Sequence, residues 1–504
     1  MDRSFSWTEL HRLIQHGRLA PDEARRVAEM TAAAFLDSYA ASGVYRGEAI
    51  ALLAELATAA DPCLTEAGLH GLFPCLVERL GDAFEPAACT LYNRLFTQVI
   101  QHCRHLPPGA PLDRQLRHFG LVTEKDVLGY AASIRAPQHF DREQGRHIKR
   151  AFILSRVTIG ADIAVTSVVL AALKQFCPQA QLTLIAAPKA QQLFAGDAGV
   201  SLCPLQYTRG GGLFERLASW VTAVAVIERE IAALQTREYL IVDPDSRLTQ
   251  LGLLPLVPDV SAYVFFESRS YRAGEQQTIS ELTAHWLHHT FGVELPLYPY
   301  CAPSPWDQAF AHAAVSVLRA CGSGPVVSLN LGVGANPRKR LGDAFEYQLL
   351  ARLLREGATV ILDRGDEPEE GERVEALGLA CAANGYGTVA LSETAADLHQ
   401  LASVQNVRVL TWHGGIGRFA ALIGQSDLYI GYDSAGQHIA TALGVPTIDI
   451  FTGFSSPRMP WRWAPHGPGA VRMVVMDEGE KQNPSRLEAV IEEVIAYLKQ
   501  AARS

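Results

Sequence analysis

The first 146 residues repeat apolar side chains at the spacing of helices. Val27, Met30 and Ala34 follow one another at intervals typical of one helix face, and Ala, Leu, Glu and Arg dominate this part of the chain. A cluster of prolines at 106–111 interrupts the pattern. Residues 1–146 are therefore predicted to form an all-helical domain, interpreted as an accessory or protein-contact domain.

After about residue 150, short apolar runs alternate with amphipathic stretches. The run 151–157 predicts a buried strand, 163–176 a helix and 182–187 a second strand, which together make a βαβ unit. Further strands are predicted at 239–243, 262–267, 326–332, 358–363, 428–433 and 446–451, and further helices at 345–356, 369–377, 438–443 and 485–502.

A proline-containing stretch at 301–324 separates two such α/β regions. The pattern therefore predicts two Rossmann-like domains, 147–305 and 306–504, with a cleft between them. In sheets of this type, ligands bind outside the carboxyl ends of the strands.

The composition of the chain limits the classes of function that it can have. Of the 504 residues, 48% are hydrophobic and 19% charged, as in globular proteins. The formal net charge of −9 argues against a general nucleic-acid binder, although a local basic pocket can still hold an anion. Nine scattered cysteines without a Cys-x-x-Cys pair favour reduced thiols in a cytoplasmic protein and disfavour a metal cluster. The chain shows neither the apolar core of a signal peptide nor a stretch approaching 18 apolar residues, so no membrane span is expected. Peripheral contact with a membrane stays open.

The strongest candidate site is the stretch LYIGYDSAGQHIATALGVPTIDIF at 428–451. A strand ends at Asp433, and small residues at Ser434, Ala435 and Gly436 lead into a helix. The free N–H groups of a helix start, together with its partial positive charge, suit a phosphate. Alternatively, Asp433 or Ser434 only caps the helix and His438 is a packed residue of its first turn.

A second candidate is the glycine-rich loop that follows the strand at 326–332. It carries Arg338, Lys339 and Arg340, and three cations in such a loop suit a diphosphate, although a solvated basic loop would look the same. Acidic residues that could hold ribose hydroxyls, or simply form a surface loop, follow the next strand at Asp363, Asp366, Glu367 and Glu369.

A third candidate is the turn after the first strand of the α/β region. Gly160 permits the turn, and Asp162 lies near the start of the next helix. The Asp162 carboxylate either caps that helix or accepts a proton from an acceptor hydroxyl.

Together these three segments, in this order, resemble the family-9 glycosyltransferases, whose best-known members are the ADP-heptose:lipopolysaccharide heptosyltransferases. SLNLGVGANPRKRLGDAFEYQLLARLLREGATVILDRG is similar to the family's lysine-containing loop and following helix and strand. YIGYDSAGQHIATALGVPTIDIF is similar to its Asp-Thr-Gly-x-x-His stretch. The resemblance runs from about 150 to 500, and residues 1–146 match nothing in the family.

The resemblance implies the GT-B fold, an inverting transfer, no cofactor and no required metal. Asp162 falls on the family's catalytic base and Lys339 on its phosphate-contacting lysine, with Arg338 and Arg340 beside it. Glu367 falls near the ribose-binding glutamate, in a register that also admits Asp366 or Glu369. The phosphate loop maps onto Asp433, Ser434, Ala435, Gly436 and His438.

Three departures accompany the resemblance. Ala161 separates Gly160 from Asp162, whereas the family has Gly directly followed by Asp, and one extra residue turns a helical side chain by about 100°. If Asp162 is turned away, the alternative bases are Asp243, Asp245 and Glu267. In addition, Ala435 replaces the family's glycine, and Leu341 its tryptophan.

The sequence therefore predicts a glycosyltransferase that moves a heptose-like sugar from a nucleotide diphosphate donor, expected to be ADP-linked, to a glycan, lipopolysaccharide or protein hydroxyl. Two rival hypotheses stay open: a nucleotide-sugar epimerase or hydrolase, and a catalytically inactive GT-B scaffold that recruits a partner through its helical domain.

Overall fold

A computed structural model describes residues 20–274, 276–334, 336–365, 367–404 and 406–501. The helices are Pro21–Ser42, Gly47–Ala57, Pro62–Leu72, Arg79–Asp82, Pro86–Arg104, Ala110–His118, Glu124–Ile134, Arg142–His147, Ile159–Ala161, Ser167–Phe176, Pro188–Gln191, Leu213–Ile231, Ile279–Phe291, Pro305–Cys321, Asp343–Arg355, Pro368–Ala383, Ala395–Ser403, Ile416–Gly424, Ala435–Ala442, Met459–Arg462 and Pro484–Ala501, with π-helical turns at Phe73–Glu78 and Asp162–Thr166. The strands are β1 Arg150–Leu154, β2 Gln181–Ala186, β3 Val200–Pro204, β4 Tyr239–Asp243, β5 Tyr263–Phe265, β6 Val326–Asn330, β7 Thr359–Asp363, β8 Gly387–Leu391, β9 Val407–Trp412, β10 Leu428–Tyr432, β11 Thr447–Phe451 and β12 Val471–Val475.

The described residues before β1 form helices joined by loops, as the sequence predicts, and residues 1–19 lie outside the described residues. Side-chain hydrogen bonds to free backbone N–H groups determine where some of these helices begin. The Asp61 side chain accepts hydrogen bonds from the backbone N–H groups of Cys63 (2.8 Å) and Leu64 (3.2 Å), and Pro62 takes the first helical position. Thr123 and Asp126 form a reciprocal capping box for the helix that follows them.

The strands form two parallel sheets. The first has the order β3-β2-β1-β4-β5, and the second the order β12-β11-β10-β6-β7-β9-β8. Helices connect most successive strands of each sheet, whereas β4 and β5 are joined by a segment with two short 3-10 turns. The chain also divides into two compact units that alternate along the sequence. The first comprises residues up to 138, 147–157 and 205–272; the second comprises 139–146, 158–204 and 273 onward. The three-domain division predicted from the sequence stays a prediction.

One face of the second sheet packs on the helices Asp343–Arg355 and Pro484–Ala501. Ile448 and Ile450 of β11 belong to this core. Because side chains alternate along a strand, Thr447, Asp449 and Phe451 point to the opposite face. That face is the one on which the candidate site is built.

One helical stretch among the described residues, Ile159–Phe176, is long and apolar enough to cross a membrane by length and composition alone, with a mean hydropathy of 1.5. The sequence was not expected to contain such a stretch. Most of it, 72%, is buried inside the protein, which is the behaviour of a core helix of an α/β fold.

Candidate functional site

The predicted phosphate loop lies at the carboxyl end of β10. The strand ends at Tyr432, and the helix Ala435–Ala442 begins two residues after Asp433. Gly436 is required here, because a Cβ at this position would lie 2.0 Å from the hydroxyl oxygen of the buried Tyr429. The first helical turn is thereby held tightly on the sheet, with its N-terminal N–H groups directed beyond the strand end.

Lys339 meets this loop from the glycine-rich segment after β6. Its Nζ donates to the Oδ2 of Asp433 at 2.5 Å and contacts the Asp433 carbonyl oxygen at 3.3 Å. Gln437 Nε2 also donates to Asp433, at 3.0 Å. The Lys339 side chain is 20% exposed and that of Asp433 is 9% exposed. The structure thus brings together two residues that the sequence placed in separate candidate sites, and an incoming anion would compete with Asp433 for the ammonium group.

The two neighbouring arginines have different surroundings. Arg340 donates to the buried carboxylate of Glu346 at 2.7 and 2.9 Å and also contacts Asp343. Burial raises the pKa of Glu346, and the Arg340 guanidinium opposes that rise. Arg338 is exposed and lies 3.3 Å from Glu478. Arg340 therefore anchors the loop to the following helix, whereas Arg338 faces solvent.

The acidic loop after β7 contains a residue that sequence reasoning missed. Asp366 lies outside the described residues, and Glu367 and Glu369 are exposed at the start of their helix. Glu370, by contrast, is buried and accepts hydrogen bonds from the backbone N–H groups of Val333 (2.8 Å) and Gly334 (3.0 Å). Glu370 thereby fixes the glycine-rich loop that carries Lys339.

Asp363 lies near Glu370, at the end of β7, and accepts a hydrogen bond from Asn330 Nδ2 at 2.8 Å. Burial raises the pKa of Asp363 to about 7, and the Glu370 carboxylate adds to the rise.

Asp449 of β11 is the second residue that sequence reasoning missed. Its side chain is fully buried, and both carboxyl oxygens lack a hydrogen-bond partner. Burial raises the pKa of Asp449 well above its ordinary value; Asp433 raises it further, and Lys339 opposes the rise. The signal that could have found it is a single acid within the otherwise apolar run PTIDIF, since a central parallel strand rarely holds a charge.

His438 is almost completely buried, and burial lowers its pKa to about 4. Its ring packs edge-on against Trp463, with 6.1 Å between centroids. A neutral imidazole at neutral pH offers this loop a hydrogen bond and no charge.

The turn that carries Asp162 packs against the phosphate loop. A Cβ on Gly160 would lie 3.4 Å from the Cα of Ala435 and 3.2 Å from the Cδ2 of His438, so glycine permits a close approach of the two helix starts. The Asp162 side chain is buried and accepts a hydrogen bond from Thr166 Oγ1 at 2.8 Å. The structure therefore places the start of this helix beside the 434–438 loop.

The alternative bases are each held by protein partners. Asp243 accepts from the hydroxyls of Thr249 and Tyr263, both at 2.5 Å. Asp245 pairs with Arg269 at 2.6 Å, and Glu267 contacts Arg135. Burial raises the pKa of Asp243 to about 6. These contacts hold the three carboxylates within the first compact unit, whereas Asp162 and the 434–438 loop belong to the second.

No group of three or more His, Cys, Asp and Glu side chains is arranged to hold a metal ion among the residues that the structure describes. The expectations of no required metal and no cofactor stay predictions.

Comparison with known proteins identifies the C-terminal region. The family model "Glycosyltransferase family 9 (heptosyltransferase)" matches residues 261–490. Residues 261–490 are therefore similar to the family-9 glycosyltransferases. The resemblance inferred from the sequence is thereby confirmed, and this region includes Lys339, Glu370 and the 433–438 loop. No curated protein matches the chain.

Comparison with solved structures concerns the fold. A glycosyl transferase family 9 structure from Veillonella parvula aligns with a TM-score of 0.51 at 16% identity, covering 73% of this chain and 100% of that one. E. coli ADP-heptose lps heptosyltransferase II aligns at 0.43 with 15% identity, and E. coli heptosyltransferase WaaC with ADP at 0.44 with 17%; each alignment covers 70% of this chain and 99% of the other. The predicted fold class, α/β of the GT-B type with an all-α N-terminal region, is confirmed.

Proposed function

We propose that this protein is an inverting glycosyltransferase that moves a heptose-like sugar from an ADP-linked donor to an acceptor hydroxyl. The observation that carries the proposal is the Lys339–Asp433 contact at the start of the helix Ala435–Ala442, beside the Gly160–Asp162 turn. A cation, a helix N-terminus and a carboxylate within one compact unit are the groups that this transfer needs.

In the proposed reaction, the acceptor oxygen forms a bond to the anomeric carbon as the bond from that carbon to the diphosphate oxygen breaks. The diphosphate keeps the electron pair, and Lys339 with the N–H groups at 434–436 stabilises its charge. Asp162 accepts the proton of the acceptor hydroxyl. Attack from the face opposite the diphosphate inverts the anomeric configuration.

The remaining site residues have supporting roles in this proposal. Arg338, exposed next to Lys339, adds positive charge near the diphosphate, and Arg340 and Glu370 hold the loop in shape. Glu367, exposed at its helix start, is available to the ribose hydroxyls. A glycan, lipopolysaccharide or protein acceptor, independence of metals, peripheral membrane contact and a cytoplasmic location stay predictions.

Replacement of Lys339 by alanine tests the proposal. The change removes the ammonium group and leaves the Asp433 carboxylate without its ion pair near the proposed phosphate position. Hydrogen bonds to charged groups contribute about 1.5–3 kcal/mol, so ADP affinity should fall by about 10- to 150-fold. Titration calorimetry with ADP, followed by a transfer assay with ADP-heptose, measures both effects.

Lys499→Ala is the matched control. Lys499 lies on the final helix, its side chain is 53% exposed and its ammonium group contacts Glu356, so the same charge is lost outside the site. Equal ADP affinity in the Lys339 and Lys499 variants would contradict the proposed donor site. ADP-heptose hydrolysis without transfer to any acceptor would instead favour the hydrolase hypothesis.

A further inference from the structure

A cavity separate from the proposed transfer site lies wholly within the first compact unit, where the N-terminal helices meet the loops after β4 and β5. It opens to solvent, and its free interior is small, about 10 Å³, which is room for one oxygen-sized group. Cys89 and Tyr92 of the helix Pro86–Arg104 form one wall. The other wall contains Asp245 after β4, and Glu267 and Arg269 after β5. The cavity therefore lies at the carboxyl ends of parallel strands, the edge at which α/β sheets bind ligands.

The charged side chains that line this cavity balance one another. Arg135 and Arg269 lie among the lining residues together with the carboxylates of Asp245 and Glu267. Two further guanidiniums lie next to this lining, that of Arg156 close to Asp245 and that of Arg247 close to the Tyr92 ring. Asp245 alone is shared by two guanidiniums, Arg269 at 2.6 Å and Arg156 at 3.9 Å.

Two buried hydrogen-bond donors at this cavity have no partner. The Tyr92 side chain is 3% exposed, it lines the cavity, and its hydroxyl makes no hydrogen bond. The Nη1 of Arg247 is also buried without a hydrogen bond, and the Arg247 guanidinium lies 5.9 Å from the centre of the Tyr92 ring. Burial raises the pKa of the Tyr92 hydroxyl, while Arg247 and Arg269 oppose the rise. Buried polar groups are rarely left unpaired in folded proteins, so a missing acceptor is indicated.

Gly81 leaves room for these groups. A Cβ at Gly81 would lie 3.1 Å from the Nε of Arg269 and 3.9 Å from the Nη2 of Arg247. The backbone of the helix Arg79–Asp82 thus comes close to both guanidiniums without a side chain between them. The helical region supplies a wall of the cavity as well as its unpartnered hydroxyl.

We propose that this cavity, lined by Tyr92, Arg269 and Asp245 with Arg247 beside Tyr92, binds an oxygen of an anionic group, either a phosphate or a carboxylate. Guanidinium forks and a phenol hydroxyl are the donors that such oxygens accept. If the proposed sugar transfer is correct, an acceptor that bears such a group is the natural occupant, and the N-terminal helices take part in choosing it. The binding step itself does not depend on transfer.

The test uses the full chain carrying Lys339→Ala, so that the proposed nucleotide site is weakened. Inorganic phosphate and acetate are titrated separately by calorimetry, which distinguishes the two anion classes. In this background Tyr92→Phe removes one hydroxyl that has no protein partner, so the melting temperature should not fall. Affinity for the preferred anion should drop about tenfold, as expected for one hydrogen bond to a charged group. Tyr39→Phe, on the helix Pro21–Ser42 and outside the cavity lining, is the matched control.

A second pair of variants tests whether the positive charge of Arg247 contributes to anion binding. Arg247→Gln should weaken the same anion at least tenfold, whereas Arg229→Gln, which removes a guanidinium that is 70% exposed, should not. Unchanged affinity in Tyr92→Phe and Arg247→Gln, or no binding of either anion to the parent, would overturn the proposal. Anion binding that persists in a protein unable to transfer sugar would separate this site from the proposed activity.

Discussion

Asp449 should make the stability of this protein fall as pH rises, and Asp449→Asn should remove that dependence. The carboxyl is fully buried with both oxygens unpartnered, and burial raises its pKa well above the ordinary value. The folded protein therefore keeps the proton over a pH range in which the unfolded chain, with an aspartate pKa of about 3.9, has released it.

The sign follows from proton counting. Between the unfolded and folded pKa values, the native state binds one more proton than the unfolded state, so the free energy of unfolding decreases as pH rises. The slope from this one group is about 1.4 kcal/mol per pH unit, and it ends when pH reaches the native pKa. Asparagine has nearly the same shape and cannot ionise in either state. The two proteins should therefore have similar stability near pH 4 and diverge, in favour of the variant, as pH increases.

Urea unfolding of the wild type and of Asp449→Asn at pH 4, 5, 6 and 7 measures the divergence. Glu488→Gln is the control, because Glu488 is exposed on the final helix and its loss should change stability by no more than about 0.5 kcal/mol at any pH. If the curves of Asp449→Asn and the wild type run parallel across this range, Asp449 is ionised in the folded protein and the argument from its burial is wrong.

Two further predictions concern the transfer site. Asp162→Asn should lower the transfer rate by about 100-fold or more with ADP affinity nearly unchanged, because the proposed base acts only on the acceptor; unchanged turnover would remove Asp162 from that role. Gly436→Ala should destabilise the protein by about 1–3 kcal/mol, because the new Cβ would meet the Tyr429 hydroxyl at 2.0 Å, whereas Gly210→Ala, with no atom within 4 Å, should have little effect in the same denaturation assay.

The sequence pattern located the interior of both sheets better than their edges. The observed bounds of β10 and β11 agree with the predicted runs to within one residue at each end. The edge strands β3 and β12 were not predicted; both are largely unburied, and they lack the continuous apolar run that marks a strand covered on both faces. The strands β8 and β9 were also missed, and β9 interrupts its apolar run with Arg408 and Thr411.

Site prediction succeeded where a motif is local and failed where a contact joins distant segments. The 433–438 loop is contiguous, so its residues could be identified together. Glu370, in contrast, acts on backbone groups 36 and 37 residues earlier, and nothing in the local sequence distinguishes it from its exposed neighbours Glu367 and Glu369. Which acid turns inward depends on the packing of the helix Pro368–Ala383, a tertiary effect that composition and spacing do not report.

The extra residue Ala161 shows how the fold accommodates a departure from the family pattern. The segment Asp162–Thr166 is π-helical, and the Ser167 N–H donates to the carbonyl of Asp162 five residues earlier instead of four. One π turn holds one residue more than an α turn, so the surplus is taken up there and the helix Ser167–Phe176 continues in ordinary α geometry over the sheet. Because the wide turn begins at Asp162, the insertion is absorbed after this residue and not before it. The carboxylate position is therefore set by the contact of Gly160 with Ala435 and His438, and deletion of Ala161 should change the orientation of Asp162 while leaving the helix behind it in register.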